Sequence, residues 1–252
     1  MTAEQYIFRS EPTRWSLEPV TDPNTISVHA MVEHCRRRLE PSLKDRSGCR
    51  GLVVGCGNGD ETVYLRRAFQ TSSIVGIDLV SRFSPLARAE CCVARADALR
   101  LPFRDLWFDF AAAFHSLEHV IDARAALGEV HRVLRPGAPF YVGVPNRHRI
   151  VGYLGSFDAT TWQKVTWNLA DWRARLTGRF KNEEGAHVGF GRAELLALLS
   201  ERFTRVECLT REFLRMKYAG RVPRPLLDLL LSPRLLDFCA PSVYAMCRRG
   251  VG

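Results

Sequence analysis

Residues 49–69, CRGLVVGCGNGDETVYLRRAF, decide the fold of this chain. An apolar run from Gly51 to Val54 opens into alternating glycines at 55, 57 and 59 and then into a helical pattern, which reads as strand, tight loop and helix. Without a Cβ, a glycine loop takes up positive φ and lets the backbone approach a ligand closely. Asp60 and Glu61 stand where a helix N-terminus has unpaired N–H groups, and Val63, Tyr64, Leu65 and Phe69 supply the apolar positions that follow.

The dinucleotide fingerprint requires glycine at its first, third and sixth positions. The sixth position from Gly55 is Asp60, an acid where a pyrophosphate would bind, so NAD and FAD are disfavoured. A second strand, SIVGID from Ser73, ends on Asp78, where a carboxylate can accept hydrogen bonds from both ribose hydroxyls of an adenosine cofactor. RADALRLPF, from Arg95, puts Asp97 just past a short apolar stretch. A buried strand, FDFAAAF, follows, and then His115, Ser116, Leu117, Glu118 and His119.

The succession GCGNG, GID, DALRLPF, FHSLEHV and VLRPGAPFYVGVPN resembles the class I S-adenosylmethionine-dependent methyltransferases, and within them the methyltransferase type 11 group. The resemblance runs motif by motif from Gly51 to Asn146; each motif is weak alone, and their order and spacing carry it. It implies an α/β fold: a doubly wound, Rossmann-like, seven-stranded sheet with an antiparallel last strand and a helical cap inserted after the fifth strand. It implies S-adenosylmethionine as cofactor, with the backbone of Gly55, Cys56, Gly57, Asn58 and Gly59 around the aminocarboxypropyl part and Asp78 on the ribose. Asp97 then faces the adenine amino group, with the Ala98 backbone beside it, Leu79 packed on the ring and His115 close by. One position departs from the pattern. The acid the family carries two residues before the first loop glycine is Val53 here, and Glu61 and Glu118 are the carboxylates considered as replacements.

At 252 residues with 46% hydrophobic content, the chain suits one substantial core. The expected division is an N-terminal arm and helix over 1–48, then a methyltransferase domain over 49–252 with a cap insertion at 147–191 and a C-terminal insertion at 212–241. SVHAMVEHCRRRLEPSL has helical spacing, closed by Pro41. From Gly51 to Asn146 strands and helices alternate, which implies right-handed βαβ units. Ligands of such sheets sit at the carboxyl ends of the strands.

The cap insertion holds Trp162, Trp167 and Trp172, which at this spacing fall on different faces of one helix; core packing is the expectation for any one of them. The leucine- and arginine-rich stretch before the last strand, SVYAMCRR, is expected to pack on the domain, with a dimer contact or a membrane-surface patch as alternatives.

A net charge of +9 invites a nucleic-acid reading. The arginines are spread out, however: the clusters Arg36–Arg38 and Arg248–Arg249 are short and no RNA-binding signature is present, so nucleic acid is disfavoured as a partner. Eight cysteines are scattered along the chain with no C-x-x-C and no Cys/His group at zinc spacing, which fits free thiols, a reducing cytoplasmic compartment and no metal. Cys56 reads as packing under the cofactor rather than as a nucleophile. No apolar run spans a membrane and the start has no signal pattern.

A sulfonium methyl is already activated, so the protein must align the acceptor and, for a hydroxyl or acidic carbon, remove a proton. His119 and His115, just after the fourth strand, are the candidate catalytic residues, with Glu118, His148 and His187 behind them. The expected activity is methyl transfer to a small-molecule, lipid-linked or sugar acceptor, with oxygen favoured as the acceptor atom. An RNA methyltransferase and a non-catalytic adenosyl-cofactor-binding protein are the alternatives, and a monomer or homodimer is expected.

Overall fold

The computed structural model describes residues 23–43, 48–71, 73–90, 92–152, 160–179 and 188–251. Seven strands form one sheet in the order β3-β2-β1-β4-β5-β7-β6. They are β1 (Gly51–Val54), β2 (Ile74–Asp78), β3 (Cys92–Arg95), β4 (Phe110–Phe114), β5 (Pro139–Pro145), β6 (Thr204–Cys208) and β7 (Ser242–Arg248). The first five pair in parallel. β7 runs antiparallel between β5 and β6. This is the doubly wound sheet, with its inserted last strand, that the sequence led us to expect.

Burial follows the period of two that strands impose. Leu52 and Val54 of β1 join one core with Ile77, Phe108, Val142 and helices α4 (Ala123–Val133) and α6 (Arg192–Ser200). Val53, one residue out of step, joins the other with Phe110 and Tyr141. Helices α1 (Pro23–Leu39), α2 (Asp60–Phe69) and α7 (Thr210–Tyr218) supply Cys35, Phe69 and Phe213 to that second core. With both faces covered, the strands read as continuous apolar runs, as in GLVV and FAAAF. Residues Met31, Val32, Cys35 and Leu39 of α1 lie in the same core as β1 and β5.

One expectation about the cap insertion changes. Helix α5 (Thr161–Leu176) forms in the cap, yet it buries no residue, and Trp162, Trp167 and Trp172 are all exposed. The positions that meet the domain are polar instead, which leaves the tryptophans no place in a core. Before β7 the chain forms three helices, α7, α8 (Arg224–Leu230) and α9 (Leu236–Cys239), beginning at Thr210. Its large apolar residues divide: Leu227, Leu231 and Leu236 are buried, whereas Leu226, Leu229 and Phe238 are exposed.

Helix α4 starts directly after the loop that carries His115 and His119, so its cap fixes that loop's exit. The Asp122 carboxylate accepts from the Ala125 N–H at 3.0 Å, satisfying a donor that the first turn leaves unpaired. Asp122→Ala is expected to lower stability by about 1 kcal/mol, read from the midpoint of urea unfolding.

Candidate functional site

The strand order reverses between β1 and β4, and a cavity of about 820 Å³ opens at their carboxyl ends. Of the residues singled out in the sequence, Gly55, Cys56, Gly57, Asn58, Asp78, Leu79, Asp97, Ala98, His115 and His119 line it. Gly59 does not. A Cβ there would meet Ala87 Cβ at 2.5 Å, so with φ +91° it lets α2 begin against α3 (Pro85–Glu90).

The loop is held by its surroundings. Gly55 has φ +67°, and a Cβ on it would stand 2.2 Å from Ser116 Cβ. The Ser116 hydroxyl donates to the Val54 carbonyl at 2.7 Å, which ties the end of β4 to the loop. Gly57, at φ +55°, faces open space, leaving a backbone concavity with no side chain above it. Cys56 is buried beneath, and burial first, then Asp78 and Glu61, pushes its thiol up to about 12; it is packing, with no thiolate to offer.

Asp78 closes the loop from β2. One carboxylate oxygen accepts from the Gly57 N–H at 2.8 Å and the other from Val80 N–H at 2.9 Å. A carboxylate has about four acceptor positions, so each oxygen of this cavity-lining residue retains one. Asp97 accepts from Leu99 N–H at 2.9 Å through one oxygen only. Leu79, Val80 and Ile121 give the cavity an exposed apolar rim, with Ile121 92% exposed. Ile121 follows the LEHV turn directly; an unsupported isoleucine there was the only signal for it.

His115 sits in the left-handed region at φ +51°, uncommon for a non-glycine residue. Its N–H donates to the Gly143 carbonyl at 2.8 Å, and its ring meets Tyr244 edge-on with Nε2 3.4 Å from the Tyr244 hydroxyl. His119 is half-exposed on the cavity wall. Behind it, Glu118 is 3% exposed, and neither side-chain oxygen has a partner at hydrogen-bond geometry. Its Oε1 lies 3.9 Å from His119 Nε2. Burial pushes the Glu118 carboxyl up to about 7, with its own amide and the Arg149 guanidinium pulling only part of the way back.

A raised carboxyl pKa means that the folded state keeps a proton that the unfolded chain has lost. Stability from this group is therefore greatest below about 4.5 and falls as pH rises toward about 7. Over that window the wild type is expected to lose up to about 3 kcal/mol relative to Glu118→Gln, measured by denaturant unfolding at a series of pH values.

Glu61, at the first turn of α2, also lines the cavity beside Cys56 and Gly57, and burial raises its carboxyl above the usual range. Val53 does not line it; it is fully buried in the second core. His148 is exposed and absent from the lining, with its ring against Gly191. His187 lies outside the described residues.

Comparison with known proteins agrees with this architecture. Residues 52–142 match the family model described as a methyltransferase domain. A demethylmenaquinone methyltransferase of Staphylococcus aureus (strain MRSA252) is 33% identical over 109 residues, covering 40% of this chain and 45% of that protein. The match thus spans about half the length of the curated relatives. Among solved structures, an S-adenosylmethionine-dependent methyltransferase from Mesorhizobium loti is similar at TM-score 0.52 and 21% identity, over 84% of this chain and 96% of that one. The [4+2]-cyclase SpnF is similar at TM-score 0.54 and 21% identity, over 89% and 82%. The fold alone therefore does not fix the reaction.

Proposed function

We propose that this chain, whose residues 52–142 belong to the class I S-adenosylmethionine-dependent methyltransferases, methylates an acidic hydroxyl, or an acidic carbon, of a small apolar acceptor. The observation that carries the reading is one cavity at the β1/β4 crevice that brings together the glycine loop, Asp78, Asp97 and two histidines.

The residues fit the cofactor. Gly57 offers an open concavity, and Asp78 keeps one acceptor position on each oxygen for a vicinal diol. Leu79 and Val80 offer apolar cover for a base, and Asp97 an acceptor for its amino group. Glu61, half-buried on the wall, is the carboxylate we assign to the ammonium in place of the missing acid at Val53. When bound, the cofactor supplies a methyl group on a positively charged sulfur. The chain's own work is to exclude water, orient the acceptor and take its proton.

For that proton we assign His119, which lines the cavity. Glu118 acts through it as a positioning residue: a carboxylate 3.9 Å from Nε2 stabilises the imidazolium that forms once the ring has accepted a proton. Because burial holds the Glu118 carboxyl up to about 7, that support is lost as pH falls through the neutral range. The expected kcat/KM profile therefore has an acid limb near pH 7 to which Glu118 contributes, and Glu118→Gln makes that limb shallower while leaving the part due to His119 itself.

The deciding measurement is conversion of S-adenosylmethionine to S-adenosylhomocysteine with a panel of phenols, hydroxyquinones and sugars. The relative that methylates demethylmenaquinone by its name makes hydroxylated ring systems the first to try. Turnover with none of them, by a protein that binds the cofactor, would favour a non-catalytic binding role. Turnover only with RNA, suppressed as salt rises, would favour a nucleic-acid acceptor.

A further inference from the structure

Helix α5 is built inside out. At about 100° per residue, Lys164, Asn168, Asp171 and Arg175 make one polar stripe, and this is the stripe that meets the domain. The Asp171 carboxylate accepts from the buried Arg149 guanidinium at 2.7 Å. Asn168 accepts from Gly152 N–H at 2.7 Å and donates to the Gly152 carbonyl, and Arg175 donates to the Arg149 carbonyl at 3.2 Å. The apolar residues Trp162, Val165, Leu169, Trp172 and Leu176 gather on a separate arc of about 80°. All are exposed, Trp162 by 73%, Leu169 by 62% and Leu176 by 86%. Ile150 and Val151 are exposed next to them in the chain segment to which Trp172 Nε1 donates, at the Ile150 carbonyl.

A helix normally turns such a stripe toward the core, at about 25 cal/mol per Å² of apolar surface removed from water. Here the inward contacts are polar and fixed, so the apolar face has been left to meet something else. Its charge says what. Beyond the stripe engaged with the domain, the helix and its exit expose Arg173 and Arg179 and no acid, on a chain of net charge +9. Two copies of so basic a helix laid face to face would repel, whereas an anionic lipid surface attracts the cations. That surface also accommodates tryptophan rings at the headgroup level.

We infer that α5 docks this protein on an anionic membrane surface, with Trp162, Leu169 and Leu176 inserted among the headgroups and Arg173 and Arg179 at their flanks. No helix among the described residues is long and apolar enough to cross a membrane, so the attachment is peripheral. The inference does not depend on the acceptor proposed above, since binding is read without turnover.

The test is co-sedimentation of the full chain with vesicles of phosphatidylglycerol and phosphatidylcholine, against vesicles of phosphatidylcholine alone, with tryptophan emission followed in parallel. The wild type is expected to bind the anionic vesicles with a blue shift and to release as salt rises. The triple variant Trp162→Ser, Leu169→Ser, Leu176→Ser, whose fold is checked by circular dichroism, is expected to bind about tenfold more weakly or less. Leu226→Ser with Leu229→Ser, on the other exposed leucine patch, is expected to bind as the wild type does. The proposal fails if the wild type ignores anionic vesicles, if the α5 variant binds undiminished, or if the Leu226/Leu229 pair carries the effect. It also fails if α5 proves to hold a dimer that the triple variant dissociates in sedimentation without any vesicle binding.

Discussion

Asp78→Ala is expected to weaken S-adenosylhomocysteine binding by about 10²- to 10⁴-fold, removing the thermal stabilisation that the ligand gives the wild type. The estimate follows from two hydrogen bonds from a diol to a carboxylate, each worth about 1.5–3 kcal/mol. Asp78 also accepts from the Gly57 and Val80 N–H groups, so alanine further loosens the loop that forms the concavity. Asp78→Asn separates the two effects. The amide keeps one acceptor oxygen and offers an NH₂ where an acceptor stood, so it preserves packing and still loses binding. At a hundred times the dissociation constant a ligand adds about 2.7 kcal/mol to stability. A shift in melting temperature of undiminished size in both variants would sink the assignment of Asp78 to the ribose, and with it the proposed orientation of the cofactor.

The second large effect is expected on rate rather than affinity. His119→Ala should lower kcat by about 10²- to 10⁴-fold, the range that positioned acid–base groups contribute, while S-adenosylhomocysteine binds as before. The side chain is half-exposed on the cavity wall, so truncation leaves little void and the variant should fold. His115→Ala is the control on the neighbouring imidazole. That ring rests on Tyr244, and its replacement should raise KM or lower stability more than it slows the chemical step. A His119→Ala enzyme with unchanged kcat would return the proton to solvent or to another group and reduce His119 to a loop brace.

Much of this was legible in the chain. The strands β1, β2, β4 and β5 are short apolar runs because both faces of a parallel sheet are covered, and the loop announces itself because positive φ at 55, 57 and 59 favours glycine. Asp78 was singled out by its spacing from Gly55 and Asp97 by the family resemblance, and both line the cavity. What resisted reading has physical reasons. Glu61 and Glu118 look alike in sequence, one reaching the cavity and the other buried behind His119, and the difference is set by the turn of a short loop. The α5 tryptophans were expected to pack because a tryptophan usually does. Their exposure follows from Arg149, buried and paired with Asp171, which reserves the inward face for charge, and such a long-range ion pair leaves no periodic trace.

The place of β7 bears on how the molecule comes to exist during synthesis. Tyr244, the partner of His115, stands on the strand that fills the gap between β5 and β6, and among the described residues β6 pairs with no other strand. On a ribosome, the glycine loop and the parallel strands emerge first and can assemble early. The cavity's histidine wall must wait until residues 242–248 have cleared the exit tunnel. During that delay β5, a strand buried along its whole length in the folded chain, presents an open edge of the kind to which chaperones and stray strands bind. Slow translation just before the codons for residues 242–248 should therefore cost this protein more, in misfolded product, than an equal pause within the first half of the sheet.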